Sequence, residues 1–235
     1  MLAFDIETTG LSALDGHTIT VICTEDYATG EKKCYEFARK KDDLAAIAVL
    51  RDEVIAAFDS APSLCAFNGH RFDIPFMAVS LDIPLPTITA WKKKTTDIFE
   101  FCKTKYQHTF SLNKICEAND IPVKISSGLE AVKMAADGRF DALRSYCEYD
   151  VSILNILYRK RFVLNPRNNV IMDLAEWTEP YVFPEAKNES PMEKMSMMLD
   201  AENSIMQARA EKRKQIPKPA PSKRARLELP DMLEG

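Results

Sequence analysis

The sequence predicts an α/β domain, a mixed β-sheet flanked by helices, and three observations carry that prediction. The chain opens with three β-prone runs, at residues 2–7, 18–23 and 32–38. From residue 42 onward, apolar positions at helical spacing alternate with a short apolar strand. A final strong helical pattern spans residues 139–160, about six turns at 3.6 residues per turn. Strands in a meander, then alternating helix and strand, then helices to cover the sheet, is α/β layering.

Each element has a local reason. The strands "TITVIC" and "KKCYEFA" are joined by a turn around Ala28-Thr29-Gly30. "DDLAAIAVLRDEVIAAF" is helical, with Asp42 or Asp43 as N-cap. "SLCAFNG" reads as a short buried strand. "FDIPFMAVSL" then starts a helix, because Pro75 is tolerated only in a first turn. "TTDIFEFCKTKY", "SLNKICEAND" and "GLEAVKMAADG" are three shorter helices, followed by "RFDALRSYCEYDVSILNILYRK". Past Lys160 the pattern weakens. Aromatics mixed with prolines in "NPRNNVIMDLAEWTEPYVFPEA" suit an extension packed on the body. "SPMEKMSMMLDAENSIMQARAEKRKQ" has the spacing of an amphipathic helix, and the Pro-rich, charged end is expected to be disordered when free. The expected organisation is therefore a body at 1–162, an extension at 163–210 and a basic tail at 211–235.

The totals narrow the function classes. A chain of 235 residues with 46% hydrophobic content can bury a single core. Its net charge of -4 is unevenly spread, because Arg209 to Arg226 holds eight basic residues against one acidic. An acidic body with a basic tail makes any charge-driven affinity for nucleic acid local. Residues "KRKQIPKPAPSKRAR" suit a nuclear-localisation signal or a nucleic-acid tether, and "LELPDMLEG" suits a short partner-docking peptide. The six cysteines are scattered with no C-x-x-C pair, which speaks against zinc and disulfides and for reduced thiols in an intracellular, reducing compartment. No run approaches the ~18 apolar residues of a membrane span, and no signal peptide is expected before a strand that starts near Met1.

Chemistry enters through the acids. Asp5 and Glu7 lie two apart on the first strand, so they share a face. Neighbouring anions repel and are costly to desolvate without a positive partner, and the local sequence supplies no Lys or Arg. Asp73 opens a helix in "NGHRFD", five residues after Asn68. Asp150 in "YCEYD" lies in the last helix, with Tyr146 four residues earlier on the same face. Four carboxylates converging on one spot could bind two divalent ions about 3.5–4 Å apart, a pair that activates water and stabilises the leaving oxygen of a phosphodiester. Oxygen-only ligands favour Mg²⁺ or Mn²⁺ over zinc.

The segments "FDIETTGL", "NGHRFD" and "YCEYD" resemble, in this order, the three motifs of the DEDD 3′→5′ exonucleases. Their spacing is most similar to the proofreading domain of family B DNA polymerases, and the likeness spans residues 1–160. The resemblance implies a ribonuclease H-like fold and a DNA 3′→5′ exonuclease using two Mg²⁺ or Mn²⁺ ions. It implies that Asp5 bridges both metals, that Glu7 and Asp150 complete the first shell, that Asp73 holds the second ion through water, and that Tyr146 orients the attacking water. Ser145 stands where the histidine subclass has its histidine, so the tyrosine subclass (DEDDy) is the one resembled. By the same likeness Thr8, Thr9, Leu11, Asn68 and Phe72 would contact the 3′-terminal nucleotides. The chain after Asp150 is too short for a polymerase module, so the activity is expected to be freestanding, in proofreading or repair, or to act through a protein partner of the C-terminal extension. An RNA exonuclease would share the same centre, since metals read phosphates and not the 2′-hydroxyl; a non-catalytic nucleic-acid binder on the same fold would not need all four acids. Lys92, Lys93, Lys94, Lys103, Lys105 and Arg71 are candidate phosphate contacts, whereas the isolated His17, His70 and His108 suit surface or core positions.

Overall fold

The computed structural model describes residues 1–123 and 128–176. A five-stranded sheet runs in the order β3-β2-β1-β4-β5. Its strands are β1 (Leu2–Thr8), β2 (Ile19–Asp26), β3 (Lys32–Tyr35), β4 (Leu64–Ala66) and β5 (Thr95–Asp97). The first three form an antiparallel meander, and β4 and β5 add in parallel beside β1. The mixed sheet follows from the connections: short turns permit antiparallel neighbours, while the parallel strands need helical crossovers. Those crossovers are α1 (Leu44–Ser60) before β4, and α2 (Asp73–Ser80) with α3 (Leu85–Lys93) before β5.

Alternation along β1 divides two cores. Phe4 and Ile6 pack with Val54, Phe58, Ile74, Phe76 and Trp91 of α1, α2 and α3. Ala3 faces the other way. There it meets α4 (Ile98–Tyr106), α5 (Leu112–Glu117), α6 (Gly128–Ala136) and the long α7 (Phe140–Lys160), which lies across β1 and β2. Asp5 and Glu7 occur at the same parity as Ala3, under α7. The ribbon of β6 (Phe162–Leu164) and β7 (Ile171–Asp173) buries Val163 and Met172 in this second core, as expected of an extension that packs on the body.

Several local expectations hold. Asp43 caps α1 by accepting from the Ala46 N–H at 2.9 Å, and Pro75 lies in the first turn of α2. Others need correcting. The third strand stops at Tyr35 and passes into a 3₁₀ turn over Phe37–Lys40. α3 and β5 are absent from the sequence reading: Pro84 and Pro86 sit at a helix start, where no N–H is needed, and a three-residue strand is too short to show a period. Cys23 and Cys34 are joined in a disulfide, their Cα atoms 4.3 Å apart. They lie directly opposite each other on β2 and β3, a pairing that antiparallel register creates and linear spacing conceals. Reduced thiols hold for Cys65, Cys102, Cys116 and Cys147, all free and buried. The expected amphipathic helix and basic tail lie outside the described residues, and no described helix is long and apolar enough to cross a membrane.

Candidate metal centre

Strand and helix meet at the acids. Asp5, Glu7 and Asp150 each offer a carboxylate oxygen, and the three oxygens lie within 4.8 Å of one another. β1 supplies two because it is pleated, and α7 supplies the third where it crosses the strand. The Cys147 thiol, on α7 just before Asp150, fixes that crossing: its Sγ is 3.4 Å from the Asp5 carbonyl oxygen and 3.6 Å from Asp5 Oδ2. Burial, then the charges of Glu7, Asp73 and Asp150, push the Asp5 carboxyl well above its ordinary range. Three half-buried carboxylates facing one another make an all-oxygen donor set, the chemistry a hard divalent cation takes. Such a cation would bring positive charge into a group of like charges.

Asp73 stands beside this group and outside it. It is buried at the start of α2, and its Oδ1 accepts from the Ile6 N–H at 3.2 Å, which ties α2 to β1 between the two strand acids. Burial first, and then the neighbouring charge of Asp97, push it up to about 7. The loop that delivers it is tight. Asn68 adopts a left-handed φ of 67°, a conformation Asn tolerates better than most side chains. A Cβ on Gly69 would come within 2.5 Å of Ala66 Cβ, so glycine is required there.

Asp97 is a positioning residue that the motifs do not show. Fully buried at the end of β5, it accepts from the backbone N–H of Asn68 at 2.9 Å and Glu100 at 3.1 Å through Oδ1, and from His70 N–H at 2.8 Å through Oδ2. It therefore holds the Asn68–His70 loop and caps α4 with one carboxylate. The D-x-x-E spacing of Asp97 and Glu100 is a capping signature that could have found it.

The other expected residues fall as follows. Tyr146 is buried on α7, one turn before Asp150. Thr8 donates its hydroxyl to the Gly10 carbonyl at 2.6 Å, and Thr9 Oγ1 accepts from the Thr18 N–H at 2.9 Å, so both shape the β1–β2 turn. Leu11 is 56% exposed, a bare apolar side chain on that turn. Phe72 packs edge-tilted on Phe76. The lysine run does not form a basic face: Lys92 is buried, and Lys94 Nζ donates to the carbonyls of Phe58, Asp59 and Ala61, the open C-terminal end of α1. Arg71 is paired with Glu100, and Lys105 with Glu176. His70 lies in the core against the Lys92 carbonyl, as an isolated histidine was expected to.

A mixed sheet whose first strand and last long helix bring acids together defines the class. The family model described as the RNase H superfamily matches residues 2–161, and the chain belongs to that superfamily. Among solved structures, the chain is similar to the family B DNA polymerase from the hyperthermophilic archaeon Pyrobaculum calidifontis. The TM-score is 0.52 at 17% identity, over 68% of this chain and 24% of that one. At that identity the likeness is one of fold, and this chain spans about a quarter of the polymerase's length. No curated protein matches the sequence.

Proposed function

We propose that this chain is a 3′→5′ exodeoxyribonuclease of the DEDDy type, hydrolysing the terminal phosphodiester of single-stranded or frayed DNA and releasing nucleoside monophosphates. The observation that carries this reading is the convergence of Asp5, Glu7 and Asp150 within 4.8 Å on a superfamily fold of nucleases. Two Mg²⁺ or Mn²⁺ ions would supply water activation and charge stabilisation on the leaving O3′. Asp5, Glu7 and Asp150 would hold them, with Asp73 alongside. Tyr146 orients the attacking water through its phenol, one helical turn from Asp150. The bond that breaks is P–O3′, and the proton of the water passes to solvent as O3′ takes one up. Leu11, Asn68 and Phe72 contact the terminal nucleotides, with Thr8 and Thr9 shaping the turn that presents Leu11. The catalytic body is residues 1–162, and a protein partner would reach it through the C-terminal extension.

The test is a time course on 5′-labelled and 3′-labelled DNA and RNA oligonucleotides of matched sequence, with Mg²⁺, Mn²⁺ or EDTA. A ladder shortening from the 3′ end of DNA, abolished by EDTA, is the expected result. Faster loss of RNA would move the substrate to RNA, and cleavage that persists in EDTA would remove the metal mechanism.

A further inference from the structure

The ribbon of β6 and β7 buries one face and leaves the other open. Its register sets Val163 opposite Met172, and both are buried in the core beneath. The flanking pairs, Phe162 with Asp173 and Leu164 with Ile171, therefore share the outer face. There Phe162 is 55% exposed, Ile171 64% and Leu164 37%. Arg161 closes one edge: its guanidinium lies 5.0 Å from the centre of the Phe162 ring and is paired with Asp173 at 2.9 Å. Lone apolar side chains on a surface are ordinary, but three on a face two strands wide make a patch. The usual cover for a sheet face is the apolar stripe of a helix, and the described helices leave this face open.

The sequence beyond the ribbon holds such a stripe. Met192, Met195, Leu199 and Met206 recur at helical spacing, and Met198 and Ile205 widen the row. Residues 192–206 carry three acids, Glu193, Asp200 and Glu202, against one lysine, and Glu202 falls within the row. The ribbon carries the opposite sign at its ends, with Lys160 and Arg161 before β6 and Arg167 in the turn, all exposed.

Chain length favours this segment over an occupant from outside. Glu176, the last described residue, is three residues past the end of β7, and fifteen residues, 177–191, separate it from Met192. A random coil of that length spans about 20 Å, twice the ~10 Å of a three-residue strand. Such a tether sets an effective concentration in the millimolar range, well above that of a second copy in dilute solution.

We propose that residues 192–206 form an amphipathic helix that docks its apolar stripe on the outer face of the β6–β7 ribbon of the same chain, covering Phe162, Leu164 and Ile171. Methionines suit a shallow surface, because unbranched side chains adapt their shape to it. The docked helix leads into the basic run from Arg209 to Arg226 and anchors that run beside the body.

Hydrogen exchange of the full chain, followed by mass spectrometry, tests this. Amides of 192–206 should exchange at least about tenfold more slowly than those of 211–235, independently of protein concentration. Ile171→Lys charges the face at a site already open to water, and Leu199→Lys charges the stripe with little change in helix propensity. Each should remove the protection of 192–206 by about tenfold or more, the size of one unburied aliphatic side chain, while β1 and α7 exchange as in the native chain. Should Ile171→Lys disturb the ribbon itself, Leu199→Lys decides, since it leaves the ribbon intact. Absence of protection in the native chain overturns the proposal, and so does protection that survives the deciding substitution, as a helix docked elsewhere would show. Protection that grows with concentration would assign the face to a second copy, and protection confined to 177–183 would assign it to that aromatic stretch; either result overturns the proposal too.

Discussion

Asp5 and Asp97 are carboxylates on strands of one sheet, the first half-buried and the second fully buried, and they are held in opposite ways. Asp97 is surrounded by donors: three backbone N–H groups end on its two oxygens. Asp5 is surrounded by other acids, and apart from the Cys147 thiol what its neighbours add is like charge. The first arrangement is complete as it stands and fixes a loop. The second is one that a divalent cation would complete. The contrast separates a structural buried acid from a candidate metal ligand more sharply than burial does, because burial raises the carboxyl of both.

Substitution should split the pair. If Asp5 ligates a catalytic cation as proposed, Asp5→Asn forfeits several kcal/mol of transition-state stabilisation, and the rate of the proposed exonuclease should fall at least ~100-fold. Measured by thermal melting in EDTA, the same variant should be at least as stable as the native chain, since a repelled charge has gone. A clear drop in stability would place Asp5 with Asp97 after all. Asp97→Ala should do the reverse. It strands three N–H groups, one buried and two part-buried, at roughly 1–3 kcal/mol for the buried one and less for the others, and urea denaturation should register a loss of about 2 kcal/mol or more. If its melting midpoint is unchanged, the loop does not depend on that carboxylate.

Tyr146→Phe keeps the ring and removes the hydroxyl. Single-turnover hydrolysis should slow about tenfold or more while affinity for the oligonucleotide holds, the pattern of a group acting on the reacting water. A matched loss in affinity would make the phenol a binding group.

The smallest expected effect is on the pH profile of stability. Asp5 and Asp73 have folded-state carboxyls raised above their unfolded range, Asp73 to about 7. The folded state then holds protons that the unfolded state has released, so between pH ~4 and ~7 stability should fall as pH rises, by about 1 kcal/mol or more in EDTA. Mn²⁺ should flatten that slope by taking the place of the protons. Equal slopes with and without Mn²⁺ would leave the acids without a cation.

The clustering of Asp5, Glu7 and Asp150 is legible in residue spacing. The i, i+2 pair on β1 and the i, i+4 relation of Tyr146 and Asp150 are local periodicities, and the fold only had to bring them together. Asp97 was missed for a different reason: a capping aspartate looks ordinary until the loop it holds arrives from twenty-nine residues away. The lysine run is a weak guide to phosphate contacts because a charge's role depends on its spatial neighbours, and Lys94 closes the end of a helix far back in the chain. Cys23 and Cys34 were likewise hidden, as two strands had to pair before their sulfurs could meet.

By itself, then, the sequence determined the α/β layering, the strands and helices with strong periods, and which acids share a face, since all of these follow from steric rules acting over a few residues. Tertiary structure alone decided that Asp150 reaches Asp5, that Asp73 turns its oxygen to the Ile6 N–H, and that the β6–β7 ribbon turns Phe162, Leu164 and Ile171 outward. Those outcomes depend on how strands register and where a helix crosses them, and such long-range geometry is set by the packing of the whole domain.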